Sequence, residues 1–183
     1  MTEAARTAWR PGDPRPDTES MLRVDQAGEY GATRIYAGQL AVFGTRHPAA
    51  RIVAHMADQE ERHLSHFDRM MAERGVRPTV LQPFWHGAGH ALGAVTALIS
   101  PSAAMACTAA VEDEIDAHYG EQLRTLGSDD PELSSAIEKF QAEEVEHRDT
   151  ALAHGAESAF AYPLLYSAIR AGCRAAIFLS KRI

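Results

Sequence analysis

The chain has 183 residues, which is enough for one domain with a substantial hydrophobic core. Hydrophobic residues make up 45% of it and charged residues 23%, a composition typical of a soluble or peripherally membrane-bound globular protein. The net charge of −7 is not offset by any basic stripe, so we exclude nucleic acid as the main partner. Residues 1–20 contain three prolines and charges of both signs, and they predict a disordered arm before one domain at residues 21–183.

Hydrophobic periodicity and boundary residues predict four long helices. In chain order they span about residues 20–43, 48–75, 101–127 and 131–155. The last three have inward-facing residues in alternating steps of three and four, and glycine or proline stands at most of the boundaries. The sequence therefore predicts an all-α protein built around a four-helix bundle.

One pattern of acidic and imidazole side chains occurs twice, and the second copy lies 83 or 84 residues after the first at each position. Each copy has a single glutamate and then, on the next helix, Glu-x-x-His, whose two side chains lie one turn apart on one face. The six residues are Glu29, Glu60, His63, Glu112, Glu144 and His147. Four carboxylates and two imidazoles on four helices form the ligand set of ferritin-like di-iron bundles, so the pattern predicts two metal ions.

The repeat extends beyond the six ligand candidates. In both copies a tyrosine and a glutamine follow the single glutamate by seven and ten residues. They are Tyr36 and Gln39 in the first copy, and Tyr119 and Gln122 in the second. The sequence therefore predicts two copies of one helical hairpin, each of which supplies half of a metal site.

The ligand candidates occupy seam positions where the helix period predicts apolar side chains. A buried carboxylate is costly unless it is paired or binds a cation. The alternative is a buried lattice of glutamate and protonated histidine, but it would leave four carboxylates against two imidazoles. Carboxylate and imidazole ligands are typical of iron or manganese, and no set of thiolates favours zinc.

Two adjacent acids compete for one ligand position in the second copy. Alignment of the two copies pairs Gln59 with Glu143 and Glu60 with Glu144, so we predict that Glu144 is the ligand. Glu114 lies two residues after another ligand candidate, and the seam register predicts that it faces solvent.

Other side chains near the ligands allow two interpretations. His118 could orient a ligand, or it could be an ordinary core or solvent-facing histidine. Tyr36 and Tyr119 lie two turns from a ligand glutamate, and we favour plain core packing for both. Asp25, one turn before Glu29, is not predicted to be a ligand.

Two segments outside the repeat are unusually apolar. Residues 78–111 contain no Asp, Glu, Lys or Arg, but residues 78–100 are too interrupted by Gly, Pro and His to predict a membrane span. A helix from about Tyr162 begins uncharged and then places basic residues among apolar ones, namely Arg170, Arg174, Lys181 and Arg182. Such a helix is typical of an anionic membrane surface. We therefore predict apolar membrane-associating helices; the alternative is two ordinary core helices.

Five runs of the sequence resemble the di-iron demethoxyubiquinone hydroxylase family, which acts late in ubiquinone biosynthesis. They are RVDQAGEYGATRIYAGQ (23–39), DQEERHL (58–64), RPTVLQPFW (77–85), AMACTAAVEDEIDAHY (104–119) and EEVEH (143–147). The resemblance extends from Met21 to the C-terminus. The chain departs from the family in the Glu-Asp-Glu at 112–114 and in a shorter link between the third and fourth predicted helices, but Glu112 itself is intact.

The resemblance implies that the six ligand candidates bind two iron ions per chain, with Glu60 and Glu144 bridging them. The implied reaction is O₂-dependent hydroxylation of the ring of a polyprenylated methoxy-methyl-benzoquinone. His118 and Tyr119 match a region that the family is thought to use in electron or proton transfer. The reductant must be external, with NADH or a reduced quinone as candidates, because the sequence has no flavin or Gly-rich dinucleotide motif.

The isoprenoid tail of such a substrate lies in the bilayer, so the enzyme must offer an apolar entrance, and residues 78–100 and the C-terminal helix could form it. We expect a peripheral protein on the cytoplasmic face of a bacterial inner membrane, or on the matrix side in a mitochondrion. A lipid-presenting protein or a biosynthetic complex is a candidate partner. The alternatives are a rubrerythrin-like peroxidase or ferroxidase, which would usually bring a Cys-x-x-Cys module that is missing here, and a non-enzymatic iron- or lipid-binding bundle.

Overall fold

The computed structural model describes residues 16–182, and within this range the only regular elements are helices. Besides one 3-10 turn at Ala156–Ser158 there are six α-helices: α1 (Thr18–Phe43), α2 (Pro48–Arg74), α3 (Gln82–Ile99), α4 (Pro101–Leu126), α5 (Pro131–Ala153) and α6 (Tyr162–Ser180). The predicted all-α class is confirmed, and α1, α2, α4 and α5 are the four predicted bundle helices. Residues 1–15 of the arm predicted to be disordered lie outside the described residues, and α1 begins at Thr18.

Side-chain caps fix where three of the bundle helices begin. Asp17, Ser100 and Asp130 each accept a hydrogen bond from the backbone N–H three residues later, at the starts of α1, α4 and α5. Gly75 ends α2 in the left-handed conformation with φ 67°, which glycine adopts without strain. These signals make the helix boundaries readable from local sequence.

The core of the bundle has an apolar cluster toward each end. Helix α1 packs against α2, and α4 packs against α5, so the two repeated segments form two hairpins. One cluster contains Phe67, Leu126 and Ile137, and the other contains Val53 and Met105. The six ligand candidates belong to the middle of the four helices, between these clusters. Apolar packing on both sides therefore holds a polar layer inside the bundle.

Helix α3 lies outside the four-helix bundle and packs closely on α1 through glycines. A Cβ atom added to Gly93 would lie 1.9 Å from the carbonyl oxygen of Ile35, and one added to Gly38 would lie 2.1 Å from that of His90. The glycines that interrupt residues 78–100 thus allow two helix backbones to approach each other. Residues 82–99 of this segment form one continuous helix in spite of them.

Helix α6 packs on α4, and ion pairs fasten it there. The Arg170 Nε atom donates to Glu114 Oε2 at 2.9 Å, and an Arg174 guanidinium nitrogen lies 3.4 Å from the same oxygen. The prediction that Glu114 faces solvent is wrong: α6 covers its side chain, and the residue is only 7% exposed. Two of the four basic residues predicted to meet a membrane surface therefore bind the bundle itself.

Both added helices leave large apolar side chains in contact with solvent. They include Phe84, Val95, Leu98 and Ile99 on α3, Phe160 just before α6, and Leu164, Phe178 and Leu179 on α6. Both helices thus bury one face against the bundle and expose apolar side chains on the other. Among residues 16–182, no helix is long and apolar enough to cross a membrane.

Candidate metal centre

The four bundle helices bring all six ligand candidates together in the interior. Each of the six residues is at most 1% exposed. They form two overlapping groups, and within each group one ligand atom per residue lies within 4.8 Å of the others. The groups are Glu29, Glu60, His63 and Glu144, and Glu60, Glu112, Glu144 and His147. Glu60 and Glu144 belong to both groups, which is the arrangement expected of carboxylates that bridge two ions.

The two histidines present the same nitrogen to the carboxylates. The Nδ1 atom of His63 lies 3.4 Å from Glu29 Oε2 and 3.1 Å from Glu144 Oε1. The Nδ1 atom of His147 lies 3.0 Å from Glu60 Oε1 and 3.2 Å from Glu144 Oε2. Nδ1 is therefore the nitrogen available to a metal at both positions.

The outward nitrogens of the histidines have different partners. His63 Nε2 lies 3.0 Å from Glu143 Oε2, whereas His147 Nε2 lies 3.2 Å from Gln59 Oε1. Both partners are acceptors, so each Nε2 carries a proton and donates it, and Nδ1 is the nitrogen that a metal ion would bind in place of a proton. Glu143, which the alignment set aside as a ligand, is in the structure the partner of His63.

Two buried tyrosines hold the glutamates of the opposite copy. The Tyr36 hydroxyl donates to Glu112 Oε1 at 2.5 Å, and the Tyr119 hydroxyl donates to Glu29 Oε1. The sequence favoured plain core packing for both tyrosines. They are indeed buried, but they also contact ligand candidates, and only the three-dimensional pairing of the two copies reveals this contact.

His118 joins a hydrogen-bonded group beside the ligands. The Gln122 amide donates to Asp25 Oδ1 at 2.7 Å and lies 2.9 Å from His118 Nε2, which is itself 3.5 Å from that Asp25 oxygen. Gln39, the counterpart of Gln122 in the first copy, donates to the Ala104 carbonyl at 3.2 Å. The interpretation of His118 that fits the structure is a side chain held by Asp25 and Gln122, one residue from Tyr119.

Burial of so many acids shifts their titration. Burial, followed by repulsion from neighbouring carboxylates, raises the pKa of Glu60 and Glu112 well above the ordinary value. Burial also raises the pKa of Glu144 to about 7. For His63, burial acts to lower the pKa, but the adjacent carboxylates of Glu144 and Glu29 outweigh it and raise the pKa to about 11. Without a cation, the cluster therefore retains protons near neutral pH.

Several carboxylate oxygens in the cluster accept no hydrogen bond from the described residues. They are Glu29 Oε2, both oxygens of Glu60, Glu112 Oε2 and Glu144 Oε1. Buried oxygens without donors are costly. Two divalent cations among these oxygens and the two Nδ1 atoms would satisfy them, so the residues present fit a pair of metal ions.

An apolar cavity of about 520 Å³ lies beside the centre, lined by α1, α3, α4 and α6. Its wall includes Gly28 and Val111, which directly precede the ligand candidates Glu29 and Glu112. The cavity volume is in the range of small-molecule sites, roughly 300–1,000 Å³. The two segments expected to form an apolar entrance, α3 and α6, supply much of the wall, including Trp85.

Fold and site together define a four-helix bundle protein that has a candidate dimetal centre and an adjacent apolar cavity. The family model described as ubiquinone biosynthesis protein COQ7 matches residues 16–180 of this chain. The chain belongs to this family, and the resemblance noted in the sequence is confirmed.

Several named relatives are similar along most of their length. A 3-demethoxyubiquinol 3-hydroxylase of Rhodospirillum rubrum is 53% identical over 175 residues, which cover 94% of this chain and 82% of the relative. The human NADPH-dependent 3-demethoxyubiquinone 3-hydroxylase, mitochondrial, is 52% identical over 173 residues, 92% of this chain and 79% of the relative. The 5-demethoxyubiquinone hydroxylase, mitochondrial, of Saccharomyces cerevisiae is 42% identical over 181 residues, 90% of this chain and 78% of the relative. Such relatives support a hydroxylase rather than the peroxidase or storage alternatives.

Proposed function

We propose that this chain, as one ferritin-like domain over residues 21–183, hydroxylates the ring of a polyprenylated methoxy-methyl-benzoquinone, using O₂ and a pair of iron ions. The observation that carries the proposal is the pair of overlapping buried carboxylate–imidazole groups beside an apolar cavity. The names of the relatives supply the substrate class and the reaction type.

The donor set determines which residues would hold the metal ions. Glu29 and His63 would bind one ion, Glu112 and His147 the other, and Glu60 and Glu144 would bind both. When bound, a ferrous pair supplies the binding and reduction of O₂.

Residues around the centre position the ligands and exclude water. Tyr36 and Tyr119 hold one oxygen of Glu112 and of Glu29, so the second oxygen of each remains for a metal. Glu143 and Gln59 fix the orientation of the two imidazoles. The apolar wall of the cavity keeps water from the reacting ring.

Hydroxylation needs two electrons and two protons beyond O₂, so a reductant must react with the site. NADH is the donor we propose, and the human relative is named NADPH-dependent. His118 and Tyr119 are proposed to serve electron or proton transfer. The Tyr119 hydroxyl contacts Glu29 directly, and His118 connects to the Asp25–Gln122 group, which supports a polar path from that side.

The apolar side chains on α3 and α6 support an approach to a membrane, where the prenyl tail of the substrate lies. We propose peripheral association with the cytoplasmic face of a bacterial inner membrane, or with the matrix side of a mitochondrial one. The same surface could receive a lipid-presenting protein of a biosynthetic complex.

Replacement of a shared carboxylate tests the proposal. Anaerobic addition of ferrous iron should load about two ions per chain. With demethoxyquinone, NADH and ¹⁸O₂, the unsubstituted protein should form a product that carries one labelled oxygen. Glu60→Gln and Glu144→Gln should lower this rate roughly 100-fold or more while helical circular dichroism persists, because a neutral amide cannot bridge two cations.

The exposed neighbour Glu61 offers a matched control, and Glu61→Gln should keep both iron and activity. Absence of bound iron in the unsubstituted protein, or full turnover by Glu60→Gln, would contradict the proposal.

A further inference from the structure

Three glycines in the cavity wall have no evident structural reason to be glycine. Gly28 and Gly31 lie within α1, and Gly172 lies within α6. A Cβ atom added to any of them would meet no atom within 4 Å outside its immediate surroundings, and none of the three has a positive φ. Glycine is the poorest helix former after proline. Neither packing nor backbone conformation therefore accounts for these residues.

The contrast with other glycines of the chain is clear. Gly38 and Gly93 permit the close approach of α1 and α3, since a Cβ at either would collide with a backbone oxygen. Gly87 also has open space around its Cβ position, but it lies on α3 outside the cavity wall. Open space inside the wall is thus specific to Gly28, Gly31 and Gly172.

The three glycines lie at about the same height in the cavity. Helix α6 runs antiparallel to α1, because the Ser20 hydroxyl donates to the Lys181 carbonyl at one end while Ile35 clusters with Ile169 toward the other. Gly172 therefore lies at about the level of the turn of α1 from Gly28 to Gly31, which contains Glu29. Larger side chains lie one turn away on both sides in α1, namely Val24 and Ile35, and on one side in α6, where Ile169 precedes Gly172 and Ala176 follows it.

We propose that Gly28, Gly31 and Gly172 form a side-chain-free wall that admits the quinone ring beside the metal centre and sets which ring substituents fit. This assignment rests on the proposed function. The ring with its methoxy and methyl groups is broader than the prenyl chain, so it fits only between the three glycines. The prenyl tail passes between the larger side chains. The glycines thus trade helix stability for cavity width.

Alanine substitutions separate this role from a structural one. Trp85 lines the cavity and Trp9 is the second tryptophan of the chain, so a Trp9→Phe background reports quinone binding by quenching of Trp85 fluorescence. The probe is a benzoquinone with methoxy and methyl ring groups and a decyl tail. Gly28→Ala, Gly31→Ala and Gly172→Ala should each raise the thermal unfolding midpoint, because alanine is the better helix former. Each should also weaken quinone binding, roughly fivefold or more, because the added methyl group takes space that the bound ring would occupy.

Gly87→Ala is the matched control, and it should raise the thermal midpoint without changing the quinone affinity. A second probe with unsubstituted ring positions should lose less affinity than the methoxy probe in the cavity variants. Unchanged binding in all three variants, or a lowered thermal midpoint, would overturn the assignment while the proposed function stands. If the unsubstituted protein fails to bind either quinone, the proposed function fails and this assignment fails with it.

Discussion

At the residue scale, the two tyrosine hydroxyls at the centre act as neutral donors in a cluster otherwise crowded with acids. Each is fully buried and lies on a glutamate oxygen. Burial and the nearby carboxylates raise the pKa of Tyr36 and Tyr119 well above the ordinary value, so both keep their protons. A neutral donor holds a ligand carboxylate in place without competing with a cation for its charge.

Tyr36→Phe and Tyr119→Phe should therefore weaken iron binding. Each change leaves a buried glutamate oxygen without its donor, and loss of such a partner typically costs roughly 10–100-fold in metal affinity. Anaerobic titration with ferrous iron measures the effect. Tyr30→Phe is the control, because the Tyr30 hydroxyl bonds to His86 at an exposed position, 2.7 Å away. Equal affinities in all three variants would show that the tyrosines do not support the ligands.

At the element scale, α3 and α6 are held to the bundle by different forces. Close backbone contact through glycine holds α3 to α1, whereas ion pairs to Glu114 fasten α6 to α4. At the far end of the cavity the Trp85 indole donates to the Ser180 hydroxyl at 3.1 Å and joins the two helices. Both walls of the cavity are thus anchored, and its shape depends on how α3 sits against α1.

Gly93→Ala should disrupt the packing of α3 against α1. The added methyl group would lie 1.9 Å from the Ile35 carbonyl oxygen, so the two backbones must separate. We expect a loss of about 1–3 kcal/mol in the free energy of unfolding, the usual cost of overpacking. Urea unfolding measures this loss, and hydrogen exchange should show faster exchange confined to α3. Gly87→Ala in the same helix should not destabilise the protein, and a stable Gly93→Ala variant would contradict the packing argument.

Sequence spacing was sufficient for the parts of the molecule that depend on local pattern. The helix period placed Glu60 and His63 in the seam, and the internal repeat separated Glu144 from Glu143. The burial of Glu114 and the packing role of Gly93 depend instead on which distant segment of the chain covers them. Glu114 is buried only because α6 packs over it. Gly93 interrupts a hydrophobic run in the sequence, but in the fold it is a point of contact between α3 and α1.

At the scale of the whole molecule, the fold buries four of the 25 acidic residues in one cluster. The chain carries a net charge of −7, and four of its acids lie in one buried cluster. Protons must neutralise that cluster when no cation is present, whereas two divalent ions would replace them. The stability of the metal-free and metal-loaded forms should therefore respond to pH in opposite directions.

The metal-free protein should lose stability as pH rises from about 6.5 to about 8. The pKa of Glu144 is raised to about 7, so its contribution to stability falls from the unfolded value of 4.5 up to about pH 7. The pKa values of Glu60 and Glu112 are raised well above 4.5, so folding favours their protonated forms as well. His63, with its pKa raised to about 11, also loses its stabilising contribution above the unfolded value near 6.5. The lowered pKa of His147 acts in the opposite direction, but only below that value.

Thermal unfolding across this range, with chelator or with excess ferrous iron under anaerobic conditions, measures the response. The midpoint should fall with pH in chelator, and it should hold or rise with iron because metal binding releases the protons. A rising midpoint in chelator would contradict the assignment of protons to the cluster.

The crossed tyrosine contacts bear on how a repeated hairpin could have come to exist. The tyrosine of each hairpin donates a hydrogen bond to a glutamate of the other hairpin. A single hairpin would therefore contain a glutamate without its tyrosine donor. An ancestral hairpin would have needed a second copy of itself, related by a two-fold axis, to satisfy its interior. Fusion of the two genes would then have kept an existing symmetric dimer within a single chain, and the halves have since diverged at positions such as Gln59 and Glu143.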